Sequence, residues 1–271
     1  MKTATVTRCR LYARIILEEI DVKKIQIKPI RSEIANAFVK KHHYSGKVTQ
    51  NSQLHLGAFY GGILHGVMSF GPSIDKRKTV AIMRDTKFND YLELNRMAFD
   101  DYLPKNSESR SIAIAMKIIK KNYPTIEWII SFADATQCGD GAIYRASGFV
   151  LTQINKNKQM MLMPDGSIIA RKTLDDYRDD RGRYGSALAR DKGATYLEGF
   201  QLRYIYFLDK TAKDRLTVPI IPFSAIDKTG AGMYLGKKKS CAGSETVTRP
   251  AIQQGEGGSI PTPALIEADH A

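Results

Sequence analysis

Residues 22–30 (VKKIQIKPI) alternate apolar and polar side chains and read as a first strand that ends near Pro29. Ser32 then stands as the N-cap of a helix: SEIANAFVKKHHY places Ile34, Ala37, Phe38 and Lys41 at helical spacing and runs towards Gly46. QLHLGAFY and ILHGVMSF flank Gly61-Gly62, the mark of a hairpin. With Tyr60 opposite Ile63, the alternation predicts Leu54, Leu56, Ala58 and Tyr60 on one face with His65 and Val67. His55, Phe59, Leu64, Met68 and Phe70 then fall on the other. YLELNRMAF reads as another strand. NSESRSIAIAMKIIKKNYP reads as a loop feeding a helix, with Ile112, Ala115, Met116 and Ile119 as its apolar stripe and Pro124 as its stop. IEWIISFA is apolar throughout, as a strand covered on both faces is. GAIYRASGF is a short helix closed by Gly148, and FVLTQI and KQMMLMP form a last pair of strands. A polar segment follows from Asp165, then a helix SALARDKGA and an aromatic strand FQLRYIYFLD.

The order strand, helix, hairpin, strand, helix, strand, helix, strand defines an α/β chain with a mixed sheet. It divides into a core over 22–165, an extension packing on it over 166–225, and a tail over 226–271. The tail is rich in Gly, Ser, Thr and Pro and is expected to be disordered. With 43% apolar and 9% aromatic residues, the 271-residue chain can bury a full core. Its formal net charge is +13. The tail holds five basic and five acidic residues, so the surplus, 36 basic against 23 acidic, lies wholly before Ile226. That surplus makes a polyanion the expected partner, nucleic acid first, against a plain solubility charge. Cys9, Cys138 and Cys241 are too few and too far apart for a disulfide framework or a CxxC zinc site. Arg14, Glu18 and Glu19 break the N-terminal apolar run, so no signal peptide is expected, and no window reaches the roughly 18 apolar residues of a membrane span. A cytoplasmic protein with no membrane partner is the expectation.

The element order is also that of the GNAT acyltransferases. SFADATQCGDGAIYRASGFV (131–150) resembles their closing strand–helix–strand unit, in which a helical tyrosine lies near the acyl-CoA sulfur. The resemblance gives Tyr144 the role of a phenol that protonates a departing thiolate. Four blocks resemble a particular branch, the Mom family of phage DNA-modification proteins: HHYSG (42–46), ELNRM (93–97), KNSESR (105–110) and the 131–150 stretch. With GFQLRYIYFLDK they span roughly Ile30 to Lys210. The resemblance implies a GNAT-like, mostly antiparallel sheet flanked by helices, in a cytoplasmic transferase acting on double-stranded DNA. There, adenine receives a carbamoylmethyl group on its exocyclic N6 amine, which shields phage DNA from host restriction. Residue by residue it implicates His43, Tyr44, Arg96, Ser109, Asp134 and Tyr144. A homodimer is compatible with it.

The donor implied by the fold is acetyl-CoA or a related acyl donor. GNAT enzymes hold its pyrophosphate on a glycine-rich turn at a helix N-terminus; here SESRSIAIAM has no glycine, leaving Arg110, Ser111 and the helix dipole to take a phosphate. A carbamoylmethyl group joins adenine through its methylene carbon, which simple acyl transfer does not provide. Iron is therefore a second cofactor candidate, with His43, Tyr44 and Asp134 as N/O ligands. Plainer roles exist for each residue: a dipole contact for His43, a turn cap for Asp134, packing for Tyr144, an N-cap for Ser109. His55 and His65, inside hairpin strands, read as scaffold. Arg96, inside an apolar strand, must be paired or face a cleft. Two other readings compete: an acyl-CoA N-acetyltransferase acting on a protein or small amine, and a non-catalytic DNA-binding phage protein. An adenine methyltransferase is disfavoured, because no two prolines are adjacent and its [DNS]-P-P-[YFW] motif is missing.

Overall fold

The computed structural model describes residues 21–135 and 139–231, with the backbone of 233–234 and 237–238. All three cysteines and the N-terminal segment lie outside the described residues.

Seven strands form one sheet: β1 (Gln26–Pro29), β2 (Leu54–Tyr60), β3 (Ile63–Gly71), β4 (Tyr91–Phe99), β5 (Trp128–Asp134), β6 (Val150–Lys156) and β10 (Phe200–Phe207). Their order across the sheet is β1-β2-β3-β4-β5-β10-β6. Every pairing is antiparallel except β4 with β5. The mixed, mostly antiparallel sheet is thus the predicted one. One assignment changes: KQMMLMP is not the second strand of the closing pair. That place belongs to FQLRYIYF, which pairs with β5 along seven residues and with β6 on its other edge. β10 presents apolar groups to both faces, and Leu202, Tyr204 and Ile205 are fully enclosed. The expected core boundary at 165 therefore cuts through the sheet. Residues between β6 and β10 form a small insert instead: β7 (Met160–Leu162), β8 (Ile168–Ala170) and β9 (Thr195–Tyr196) in the order β8-β7-β9, with α5 (Arg171–Asp175) and α6 (Gly185–Asp191). Met161, Met163, Leu174, Ala189 and Ala194 give this insert its own core.

Helix α1 (Ser32–His42) covers one face of the sheet, burying Ala35 and Val39 against Val67 and Ala98. Ser32 is its first residue rather than its cap; Arg31 holds that position. Farther along this face, α2 (Lys76–Val80) and the turn after it bring Val80, Ile82 and Met83 onto Tyr91, Trp128 and Ile130. On the opposite face lies α3 (Ser107–Asn122), whose predicted stripe Ile112, Ala115, Met116 and Ile119 is wholly buried against Leu56, Met68, Phe70 and Ile129. It stops two residues before Pro124, as the ring's clash with a preceding helical residue requires. The short α4 (Ala142–Ala146) closes through Gly148, at φ 85°, and packs on the same core. Ile226, in α7 (Ser224–Lys228), and Ala231 are also buried there, so residues 226–231, expected in the tail, belong to the folded part; the expected tail beyond residue 238 lies outside the described residues.

The hairpin turn is as expected, with Tyr60 opposite Ile63, but the faces are not. A β-bulge between Ala58 and Phe59 leaves His65 without a cross-strand partner and shifts the register. Leu56 then pairs with Met68 and Leu54 with Phe70, placing the large apolar groups of both strands on the α3 side. His55 and His65 are buried scaffold, their Nδ1 atoms at 2.8 Å from Ser69 Oγ and 2.9 Å from Asp100 Oδ2.

Gly141, the N-cap of α4, has φ 78°, and a Cβ there would come within 2.5 Å of the Tyr204 ring. Gly61, at φ 57°, has open space around it. Left-handed strain alone should make Gly61→Ala cost about 1 kcal/mol. Gly141→Ala adds an overpacking clash and should cost about 3 kcal/mol. Urea unfolding of the two variants checks this ordering; equal losses would show that Tyr204 yields freely.

Candidate active site

The site begins with an interruption. β4 and β5 pair over Tyr91–Glu93 and Trp128–Ile130, three residues each. Beyond that, Ser131 Oγ reaches the Leu94 carbonyl at 3.4 Å, and the two strands pair no further. Each is held instead on its outer edge, β4 by β3 and β5 by β10. A parting of this kind at the centre of a sheet gives both faces access to one place.

On the α1 face, a second β-bulge matters most. Ser69 opposes Arg96 and Phe70 opposes Leu94, so β4 spends one extra residue, Asn95. Simple alternation sets Glu93 and Arg96 on opposite faces; the bulge puts them on the same one. Among the described residues, Arg96 has no carboxylate within ion-pair distance. Its guanidinium donates to the Lys47 carbonyl at 2.9 Å and the Asn95 carbonyl at 2.7 Å. The partial negative charge of two carbonyls fixes the fork and leaves its charge uncancelled. Glu93 has its carboxyl pKa pushed up, chiefly by burial, although Ser73, Asn95 and Arg96 pull the other way. Neither polar neighbour closes fully: Ser73 Oγ and Asn95 Nδ2 are buried without a partner. Asn95 is held through its Oδ1, which accepts from Ser52 Oγ at 3.1 Å.

His43 follows α1 as its C-cap. Burial, helped by the nearby Arg96 charge, holds its pKa down to about 4, so the ring is neutral at physiological pH. The dipole contact of a cationic histidine is thereby excluded for this position. The Ser45 N–H donates to Nδ1 at 3.2 Å, and Ser45 Oγ lies 2.8 Å away. That bond selects the tautomer protonated on Nε2. Tyr44 lies against the same ring, centroids 4.3 Å apart, and is about half exposed.

On the α3 face, Tyr144 is buried between Phe149 and Tyr204, ring centroids 5.3 and 5.2 Å away. Tyr204 anchors this stack by donating its hydroxyl to the Asp140 carbonyl at 2.5 Å, while the Asp140 carboxylate takes Arg145 at 3.1 Å. The N-terminus of α3 lies on this side. Its cap is Asn106, in the left-handed region at φ 72°, not Ser109. Ser109 is in the first turn with Oγ donating to the Asn106 carbonyl at 3.1 Å. Arg110 reaches the Lys23 carbonyl at 3.3 Å, and its Nε is buried without a partner. Ser111 is fully buried and donates to the Ser107 carbonyl at 2.7 Å, so its hydroxyl serves the helix and not a phosphate. For a phosphorylated acyl donor, the fit is carried by the first turn of α3 and by Arg110.

Asp134 ends β5 on the α1 face, in one cross-strand row with Gln201 and Asn155. Beside that row opens a cleft of about 530 Å³ lined by Asn155, Lys156, Lys158, Gln159, Arg171 and Gln201. Three cations and no carboxylate line it. Sequence reading missed this cleft, since its residues come from β6, β10 and the insert. It also passed over Glu93, which was visible only as a neighbour of Arg96.

The predicted iron ligands do not form a metal site. Among the described residues no group of three or more His, Cys, Asp or Glu side chains could hold a metal. A ligating imidazole gives its other ring proton to an acceptor, whereas Nδ1 of His43 receives a proton bond from Ser45 and Arg96 adds a repelling charge. The chemistry of this donor set does not suit a cation.

The sheet order and the single parallel pairing, which parts after three residues, give the GNAT-like fold that the element order led one to expect. Residues 24–225 match the Mom protein family. The methylcarbamoylase mom of Escherichia phage Mu is 35% identical over 200 residues, covering 73% of this chain and 81% of that protein. The chain belongs to the Mom family. Solved structures similar to it include the ribosomal-protein-S18-alanine N-acetyltransferase of Escherichia coli: 10% identity, TM-score 0.38, 68% of this chain and 94% of that one. Another is a GNAT phosphinothricin acetyltransferase of Sinorhizobium meliloti: 8% identity, TM-score 0.41, 73% and 96%.

Titration tests this electrostatic arrangement. His43 should titrate near 4 by NMR. Because its folded value lies below the ordinary 6.5, the unfolded chain binds more protons between about 4 and 6.5, and stability falls as pH drops through that window. His43→Gln should flatten that part of the stability curve. Glu93 has the opposite sign: its raised pKa means that ionising it costs stability as pH rises above 4.5. Glu93→Gln should therefore raise the urea midpoint at pH 8; a lowered midpoint would show that the carboxylate is paired after all.

Proposed function

We propose that this chain is a phage DNA-modification enzyme that transfers a carbamoylmethyl-type group to the exocyclic N6 amine of adenine in double-stranded DNA, in the host cytoplasm, protecting the phage genome from restriction. The observation that carries the reading is the β4–β5 parting, with Glu93, Arg96 and His43 grouped on one face and the α3 N-terminus with Tyr144 on the other. Family membership and identity to a protein named methylcarbamoylase support the group transferred.

Adenine's N6 lone pair is delocalised into the ring, so attack requires loss of a proton. Glu93, a carboxyl with raised pKa, is the base on the acceptor face. Arg96, fixed by backbone carbonyls, binds an oxygen of the transferred group with its fork, and the Nε2–H of neutral His43 adds a neutral donor. The first turn of α3 with Arg110 would hold the phosphate of a CoA-type donor, which would supply the transferred carbons; joining them to N6 through the methylene carbon takes a rearrangement or a carbon activation beyond acyl transfer. Tyr144 protonates the leaving group, and Ser109 orients it from the first turn of α3. Asp134 bounds the acceptor side.

Nucleoside mass spectrometry of DNA from expressing cells tests the reading. A new adenine species is expected. Glu93→Gln, Arg96→Lys and Tyr144→Phe should each reduce it by roughly 10²-fold or more, the range for losing one acid–base or oxyanion group. Unmodified adenine together with acetylated protein would favour an N-acetyltransferase; no product of either kind would leave a non-catalytic DNA-binding protein.

A further inference from the structure

Phe132 is out of place. It lies in the middle of β5, a strand buried on both faces along Trp128–Ile130, yet it is 45% exposed. The register explains where it points. Ala133 pairs with Leu202, both in the α3-side core, so Phe132 and Asp134 face the other way. On that face, apolar cover from Val80, Ile82 and Met83 reaches Trp128 and Ile130. An aromatic ring left open next to the parting of β4 and β5 is a flat apolar surface with one free side.

Polar groups continue from it in a row. Asp134, Gln201 and Asn155 stand abreast on β5, β10 and β6, one pleat beyond Phe132. Gln201 and Asn155 then open into the 530 Å³ cleft that Lys156 and Lys158 line. The volume suits a small-molecule-sized group. On that face the aromatic plate and the Asp134–Gln201–Asn155 row lead to a cleft whose walls carry Lys156, Lys158 and Arg171. A nucleotide presents the same succession: a stacking base, a base edge with adjacent donor and acceptor, and a phosphate.

We propose that this face seats one nucleotide turned out of a DNA duplex: its base stacked on Phe132, its edge read by Gln201, its phosphate held by Lys156 and Lys158. This rests on the DNA-modification reading and adds to it a location for the acceptor. Enzymes that act on a base inside a duplex extrude it, and aromatic side chains are the usual support. Carboxamides pair with adenine through two adjacent bonds, which suits Gln201 to adenine.

The test compares a fully paired duplex with one in which a single adenine faces an abasic site, so that the extrusion cost is already met. Wild-type protein should bind the second about 10-fold or more tightly, the value of one base stacked on an aromatic ring. Phe132→Ala should abolish that preference and lower adenine modification, while Phe132→Tyr restores both. Because Phe132 is exposed, neither change should move the unfolding midpoint. Lys156→Gln with Lys158→Gln should weaken both duplexes alike and reduce the slope of log K against log salt by about 2. If wild type modifies adenine while Phe132→Ala keeps preference and rate, the seat is wrong and the DNA reading stands. If wild type binds neither duplex and modifies no adenine, both fall together.

Discussion

A single parallel pairing of three residues governs this molecule. In an antiparallel sheet each strand has a continuous ladder on both sides, and the centre is closed to any ligand. Here β5 enters parallel to β4, pairs briefly and departs, so its backbone must be supported from the other side. β10 supplies that support along the whole of β5. Since β10 comes more than sixty residues after β5 in the chain, the opening at the centre is held by a late element. Apolar burial makes the arrangement affordable: Trp128, Ile129 and Ile130 are fully enclosed just where the two strands still pair.

The groups around the opening are ordered by the Arg96 guanidinium, which two backbone carbonyls fix in place. Its field disfavours a second cation and so adds to the burial that keeps His43 neutral. The same field favours an anion, yet burial outweighs it at Glu93. The result is a fixed cation, a neutral ring with its proton outward on Nε2, and a carboxyl whose proton is held more tightly than usual. An array of this kind can take a proton at one atom while polarising an oxygen at another, without first cancelling its own charges.

Elements and their buried stripes were legible in the sequence, whereas facing was not. The α3 stripe needed only its 3.6-residue period, because one helix side meets one sheet. β4 was bounded correctly by its own composition. Bulges defeated the rest, as each inserts one residue and flips everything beyond it. The one at Asn95 is fixed by Ser52 and by the close approach of Gly71 to the Asn51 carbonyl and Asn95, contacts between segments about twenty and more residues apart. No local pattern contains them. The iron reading failed for a related reason: HHYSG offers ligand types, but the Ser45 N–H, two residues on, decides which ring nitrogen carries the proton. Ser111 likewise looked like a phosphate ligand until its hydroxyl was seen to close onto the preceding turn.

The insert explains what the extra chain between β6 and β10 contributes. A bare hairpin joining those strands would leave the ends of β6 and β10 at an edge, with Asn155 and Gln201 facing solvent on one side. The chain instead leaves β6 through the buried Asn157, whose Nδ2 donates to the Met160 and Leu197 carbonyls at 2.9 and 2.7 Å and whose Oδ1 accepts from the N–H groups of Gln159 and Met160. One carboxamide thereby clamps the exit and return of the insert. The Gln159 carbonyl in turn accepts from the Arg171 N–H at 2.7 Å, drawing the start of α5 to the cleft. Lys156 and Lys158 sit on either side of the clamp, so the same small polar knot that starts the insert also places the cations beside the Asp134–Gln201–Asn155 row. Breaking it would release the insert and the cleft wall together, while leaving the β4–β5 parting, which β10 and β3 hold, in place.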